Sequence, residues 1–248
     1  MEMIEIPYLG NLDKAEIYGV SDLHSEDMLF DESLWKKFKQ KIKGIDHPCL
    51  IGIGDWLNYA VSGSKTNPGE QTRTVGQSEE WLIEECKELK PWIMAMADDG
   101  NHERRLAKKG DGLSPIAFVC KTLDIPYMEN GGVLKIPLGK DSHGKRVCYT
   151  IYAFHGEGYR GRVNNVNTIV YADIYLHGHD HLKSAFKRNF FMPDPQNNIV
   201  REVEQLHVSA AHWLCYGGYA QRGSFPPSAR GASPIYLNGR YKSAEVLL

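Results

Sequence analysis

Residues 172–181 read Ala-Asp-Ile-Tyr-Leu-His-Gly-His-Asp-His. A short apolar run, Ala172 to Leu176, breaks at once into His177-Gly178-His179-Asp180-His181. Four other stretches follow the same grammar. Glu16-Ile-Tyr-Gly-Val20 runs into Ser21-Asp22-Leu23-His24, and Cys49-Leu-Ile-Gly-Ile53 into Gly54-Asp55. Trp92 to Ala97 leads to Gly100-Asn101-His102-Glu103, and Cys148 to Phe154 leads to His155-Gly156. Short runs rich in β-branched and aromatic residues read as buried strands, and each polar cluster falls at a strand's carboxyl end.

Helical patterns lie between these runs. Residues 33–45 place Leu34, Trp35, Phe38, Ile42 and Ile45 on one face, with Lys36, Lys37, Lys39, Lys41 and Lys43 as a solvated face. Residues 78–90 begin with Ser78 and stop at Pro91, which reads as a capped helix with a breaker. Ser114-Pro115 opens a third helix and residues 161–170 form a fourth. After residue 183 the character changes to strands over 183–192, 199–209 and 234–248, punctuated by Pro193-Asp194-Pro195 and a Gly/Pro/Ser-rich loop at 217–234. Strand–helix alternation predicts a layered α/β fold with ligands at the carboxyl ends of the strands. No linker separates a second unit, so residues 1–248 are expected to form one domain.

Composition narrows the function classes. Across 248 residues, 42% hydrophobic and 24% charged content argues against wholesale disorder. With 29 Lys+Arg against 31 Asp+Glu, no global basic field exists to bind nucleic acid through bulk charge. The five cysteines form no Cys-x-x-Cys pair, which fits a reducing compartment. Neither a signal peptide nor an 18-residue apolar run is read, so a cytoplasmic protein without membrane attachment is expected.

The clusters together supply Asp22, His24, Asp55, Asn101, His155, His179 and His181. Two carboxylates, an amide oxygen and four imidazoles exceed what one ion needs, and they suit two borderline divalent ions sharing a carboxylate. A Gly-His-x-His string is expected only about 0.04 times by chance from 24 glycines and 10 histidines.

Taken in order, Asp22-x-His24, Gly54-Asp55, Gly100-Asn101-His102-Glu103, His155-Gly156 and Gly178-His179-x-His181 are similar to the five motifs of the calcineurin-like metallophosphoesterase superfamily. The resemblance covers residues 16–181; residues 182–248 match only as second-sheet strands. It implies two facing mixed β-sheets flanked by helices, a four-layer αββα sandwich. Asp22, His24 and His181 would hold one ion, Asn101, His155 and His179 the other, and Asp55 would bridge them. His102 would contact the scissile phosphate and protonate the leaving group. The implied activity is phosphoester hydrolysis. Two ions roughly 3.5–4 Å apart make hydroxide available near neutral pH for in-line attack. Mn²⁺ is the favoured ion, with Fe, Zn, Co or Ni also compatible with these donors.

The chain also departs from the family pattern. Gly54-Asp55-Trp56-Leu57-Asn58 has Asn58 where phosphoprotein phosphatases carry an aspartate, and it lacks their following arginine. An amide can orient His102 but cannot neutralise an imidazolium, so His102 is expected to be a weaker base and protein phosphatase activity is disfavoured. Arg104 or Arg105 either reaches substrate phosphate or is a helix-start arginine in solvent. Lys65 and Arg73 lie in a polar stretch, 59–77, that is either a lid or a plain surface loop. The segment from His212 to Phe225 mixes aromatics, glycines and arginines, as base-stacking surfaces do, but also as a loop packed by its own rings does. His177 reads as structural; His47, His143, His207 and His212 carry no assignment. Phosphodiesters, nucleic acid or nucleotide, are the favoured substrates, because the protein-phosphatase elements are missing and the late loop offers stacking rings; by analogy the chain is also similar to phage-type and repair-nuclease-like members. The alternatives are a phosphomonoesterase or nucleotide pyrophosphatase, and a non-catalytic protein-binding scaffold.

Overall fold

Residues 48–52 and 93–97 are apolar or small throughout, and every one of them is buried. Continuous apolar strands of this kind require cover on both faces, which is the condition of a parallel sheet inside a layered domain. The computed structural model describes residues 1–6, 9–61, 66–109, 114–156 and 170–248. Twelve strands and five α-helices occur among them: β1 (Glu2–Glu5), β2 (Lys14–Val20), α1 (Glu32–Lys43), β3 (Pro48–Gly52), α2 (Val75–Leu89), β4 (Ile93–Ala97), α3 (Gly100–Lys109), α4 (Pro115–Leu123), β5 (Tyr127–Met128), β6 (Gly132–Lys140), β7 (Arg146–Phe154), β8 (Ile174–His177), β9 (Lys183–Asp194), β10 (Ile199–Ala210), α5 (Gly218–Arg222), β11 (Pro234–Asn238) and β12 (Ala244–Val246).

They form two six-stranded mixed sheets, in the orders β12-β11-β2-β3-β4-β5 and β1-β6-β7-β8-β10-β9. The sheets face each other. Ile17, Ile51 and Ala95 of the first share one core cluster with Ile136, Ile151, Ile174, Leu176 and Val208 of the second. On the outer face of the first sheet, Trp35 and Phe38 of α1, Leu82 and Cys86 of α2, and Ile116 and Val119 of α4 cover Tyr18, Val20, Leu50 and Met96. The outer face of the second sheet carries Val133, Tyr152 and Tyr175, with Phe154 packed beside them. Residues 161–169 of the helix expected at 161–170 lie outside the described residues, as does Lys65. No helix among the described residues is long and apolar enough to cross a membrane.

Local chemistry sets the element ends and corrects several expectations. Asp31 accepts the Leu34 N–H at 2.9 Å to open α1, and Ser114 accepts that of Ala117 to open α4. Helix α2 begins at a Thr74/Gln77 capping box, so Ser78 is not its cap but lies inside the first turn, its hydroxyl donating to the Thr74 carbonyl. Strand β6 escaped the pattern because Pro137 and two glycines interrupt it; the Pro137 region is accommodated as a register shift against β7. Residues 234–248 form a hairpin of two strands rather than one. The short helix α5 lies within the Gly/Pro/Ser-rich loop.

Lys39 departs from the solvated face expected of α1. It is buried, and its ammonium lies 2.7 Å from Glu85 and 2.6 Å from Glu88, tying α1 to α2. Replacing Lys39 by Ala leaves two carboxylates side by side without their common cation and should cost about 1–3 kcal/mol. Lys36→Ala removes only a solvent-exposed pair with Glu32 and should stay within about 0.5 kcal/mol. Urea midpoints measured at constant m-value distinguish the two outcomes.

Candidate metal centre

The five polar clusters converge at the carboxyl ends of β2, β3, β4, β7 and β8. The loops after β2 and β3 extend the sheet ladder: the N–H of Asp22 donates to the Gly54 carbonyl, and that of His24 to the Asp55 carbonyl. Gly178 N–H donates to the His155 carbonyl across the second sheet. Asp22, His24, Asp55, His179 and His181 all sit at positive φ, between 45° and 73°. Such backbones cost roughly 1–3 kcal/mol each in non-glycine residues and persist only where surroundings enforce them. Two glycines supply the space. A Cβ on Gly100 would lie 2.2 Å from Asp55 Oδ1, and one on Gly178 would lie 2.1 Å from Ser21 Oγ.

Three donor groups result, each within 4.8 Å: Asp22, His24 and His181; His24, Asp55 and His102; and Asp55, His155 and His179. Asp55 Oδ2 lies 3.1 Å from His155 Nε2, 3.9 Å from His24 Nε2 and 3.8 Å from His102 Nε2. Asp22 Oδ1 lies 3.2 Å from His181 Nε2 and 3.8 Å from His24 Nε2. Asn101 Oδ1 lies 2.8 Å from His179 Nδ1 and 3.3 Å from His155 Nε2. The donor set fits divalent cations. Asp22 Oδ1 and His24 Nδ1 are buried without a hydrogen-bond partner, and two imidazole nitrogens, His24 Nε2 and His181 Nε2, face each other at 3.2 Å. Buried polar atoms are ordinarily satisfied, so an unsatisfied carboxylate oxygen of Asp22 lying 3.2 Å from His181 Nε2 and 3.8 Å from His24 Nε2 suits a cation among them.

Electrostatics agree. Burial would raise Asp55, but His155, His102 and His24 hold its carboxyl well below the usual range. Burial likewise works against ionised Asp22, and His181 and His155 overcome it. Although burial opposes its charged form, the Asp55 and Asp22 carboxylates raise His155 to about 10. His24 is pushed well below the usual imidazole value by burial and by His102 beside it. The centre therefore keeps its carboxylates anionic and favours positive charge beside them.

The neighbours of these side chains are themselves ordered. His155 Nδ1–H donates to the Ile53 carbonyl at 2.7 Å, which leaves Nε2 as the donor atom facing Asp55. Ser21 Oγ donates to Asp22 Oδ2 at 2.6 Å. Two fully buried carboxylates hold the loop after β3: Glu103 accepts the N–H groups of Asp55 and Leu57, and Glu26 that of Asn58 at 2.6 Å. Burial, then Asp55, raises Glu103 well above the ordinary carboxyl value. Sequence reading gave Glu26, Ser21 and Asp98 no role; Glu103 was visible in the Gly-Asn-His-Glu string but unassigned.

The remaining candidates separate by geometry. Asn58 meets His102 through its main chain, its carbonyl accepting from His102 Nδ1 at 2.7 Å, so orientation does not depend on the side-chain amide. Arg105 Nη2 lies 3.0 Å from His102 Nε2, and its other nitrogen donates to Thr66 Oγ1 at 3.1 Å. Arg104 pairs instead with Asp98, whose other oxygen accepts the His155 N–H. Arg73 donates to the Ser25 carbonyl at 2.6 Å and lies over Trp81, so this part of the 59–77 stretch is fastened to the β2 loop. His177 is buried with Nδ1 3.2 Å from the Gly178 carbonyl. In the late loop Tyr219 packs on Phe225 at 5.5 Å, and the Tyr216 hydroxyl donates to the Phe225 carbonyl. Tyr216 and Tyr219 remain half exposed.

No family model and no curated protein matches this chain. Among solved structures it is similar to a conserved uncharacterized protein, described as a predicted phosphoesterase, from Streptococcus pneumoniae. The identity is 14% and the TM-score 0.41, over 94% of this chain and 89% of that one. At that distance the geometry of the centre has to carry its own reading.

Mn²⁺ at about a hundred times its dissociation constant should stabilise the folded chain by roughly 3 kcal/mol per site, and a chelator should reverse the gain. Asp55→Asn, nearly isosteric, should lose both ions, because Asp55 belongs to the group of His155 and His179 and its Oδ2 also lies 3.9 Å from His24 of the Asp22/His181 group. Metal analysis with thermal denaturation checks this; an Asp55→Asn protein retaining two ions would show that the carboxylate is not shared.

Proposed function

We propose that the chain is a dinuclear-metal phosphoester hydrolase with a preference for phosphodiesters. The single observation that carries this reading is the convergence of two carboxylates, one amide oxygen and four imidazoles, in which Asp55 shares a donor group with His155 and His179 while its Oδ2 also lies 3.9 Å from His24 Nε2 of the Asp22/His181 group. Asp22, His24 and His181 would hold one ion, and Asn101, His155 and His179 the other, with Asp55 between them; manganese suits such oxygen–nitrogen donors. When bound, two such ions lower the pKa of water held between them and neutralise charge on a phosphate.

The chain's own residues do the rest. His102 donates Nδ1–H to Asn58 O and accepts from Arg105 at Nε2, which defines a neutral ring. Burial, with Arg105 adding to it against the pull of Asp55, brings His102 down to about 4. At rest, then, no proton waits on Nε2. An incoming phosphate would draw Arg105 onto its oxygens and free His102 Nε2 to accept the proton released by the attacking water and pass it to the leaving oxygen. The diester preference is supported by the cationic complement. Among the described residues at His102, Arg105 reaches in while Arg104 is occupied by Asp98, and a single guanidinium suits a monoanionic diester better than a dianionic monoester.

Bis-p-nitrophenyl phosphate and p-nitrophenyl phosphate, each assayed with and without Mn²⁺, test the reading. Metal-dependent turnover faster on the diester is expected. Faster turnover on the monoester would favour a phosphomonoesterase, and a metal-loaded chain inert on both and on nucleotide pyrophosphates would leave a binding scaffold.

His102→Ala should keep both ions and lose about 10²–10⁴-fold in turnover on substrates with alkoxide-like leaving groups. With p-nitrophenolate, which departs without a proton, the loss should be much smaller. Equal losses on both would assign His102 to phosphate charge rather than to proton delivery.

A further inference from the structure

His181 is the least enclosed of the ligands in its group: its side chain is 31% exposed, against 3% for His24 and 0% for Asp22. A partly exposed imidazole retains freedom to rotate, and any ion it holds loses affinity in proportion. One face of the ring, however, is covered. His212 stacks on it with centroids 5.1 Å apart and planes inclined by 15°.

The stacking ring is itself fixed. His212 is buried, and its Nδ1 accepts the Leu214 N–H at 3.2 Å. With Nδ1 engaged by its own loop and no place in the donor groups, His212 offers His181 a face. The surrounding backbone is braced against the same half of the centre. Trp213 N–H donates to the Asp22 carbonyl, and Gly231 N–H to the His212 carbonyl at 2.9 Å. Ala211 adopts φ of 61°, a turn that brings the chain back from the end of β10. Ser209 Oγ donates to Asp180 Oδ1 at 2.6 Å, securing the residue before His181. These contacts all bear on Asp22 and His181; His155 is ordered separately by Ile53.

We infer that His212 is a positioning residue, whose ring face holds His181 in the orientation that binds the ion shared with Asp22 and His24. The inference rests on the dinuclear reading proposed above. Histidine ligands are usually oriented by a hydrogen-bonding partner, and removing such support typically costs 10–100-fold in metal affinity; here the support includes a stacked plane, which a ring substitute can imitate.

The full-length chain titrated with Mn²⁺ alone, by calorimetry and by loss of the free-ion paramagnetic resonance signal, tests it. Wild type should take up two ions. His212→Ala should bind one as wild type does and the other about 10–100-fold more weakly. His212→Phe should recover most of the loss, whereas His212→Leu, of similar bulk without a planar face, should not. That pair keeps the test open if the alanine variant fails to fold. Two unaltered ions in His212→Ala, equal weakening of both ions, or equal behaviour of Phe and Leu would each overturn the positioning role. Wild type that binds no Mn²⁺ would instead overturn the dinuclear reading, and this inference with it.

Discussion

Asp55 is buried to 1% exposure just beyond β3, with imidazoles from two loops and the first turn of α3 around its carboxylate. Removing a carboxylate from water costs several kcal/mol, and the chain offsets that cost only by surrounding it. Oδ1 accepts the His102 N–H at 2.9 Å, and Oδ2 faces His155. Gly100 has to be glycine because the carboxylate occupies the space of a β-carbon. Glu103 fastens the Asp55 N–H from below. The strained backbones at positions 22, 24, 55, 179 and 181 then follow as the conformations that turn short side chains toward one point.

The same arrangement explains how rigidity is distributed. His155, which directly follows β7, is ordered by the Ile53 carbonyl just beyond β3 of the facing sheet. The loop after β3 leaves the sheet before it reaches Asn58, and two buried carboxylates, Glu26 and Glu103, gather its N–H groups in place of a ladder. Asn58 is thereby held with its carbonyl toward His102. His181, farther along its loop, leans on a ring from the end of β10. Main-chain carbonyl, carboxylate clamp and stacked ring are three answers to one demand: donor atoms must be held close together before any cation compensates their repulsion.

Charge around His102 shows how a small difference in placement divides two adjacent residues. Arg104 and Arg105 are neighbours on α3, but side chains at successive helical positions point about 100° apart. One is drawn to Asp98 beneath the His155 loop, and the other reaches His102 and Thr66. No composition argument distinguishes them.

The sequence by itself determined the sheet strands that bear the candidate site and the polar clusters ending them, because each is a contiguous string with a period or a break that can be read locally. Asp22-x-His24 and Gly178-His179-x-His181 are legible for that reason. Strand β6 was not, since Pro137 disguises it and the register shift against β7 absorbs the interruption. Tertiary structure alone decided the burial of Lys39 between Glu85 and Glu88, the division of labour between Arg104 and Arg105, the use of the Asn58 carbonyl instead of its amide, and the stacking of His212 on His181. In each case the deciding partner comes from another element or depends on which way a side chain points. Local pattern records what a residue can donate, accept or bury; which partner it meets is set by the crossing of the two sheets and the loops that leave them.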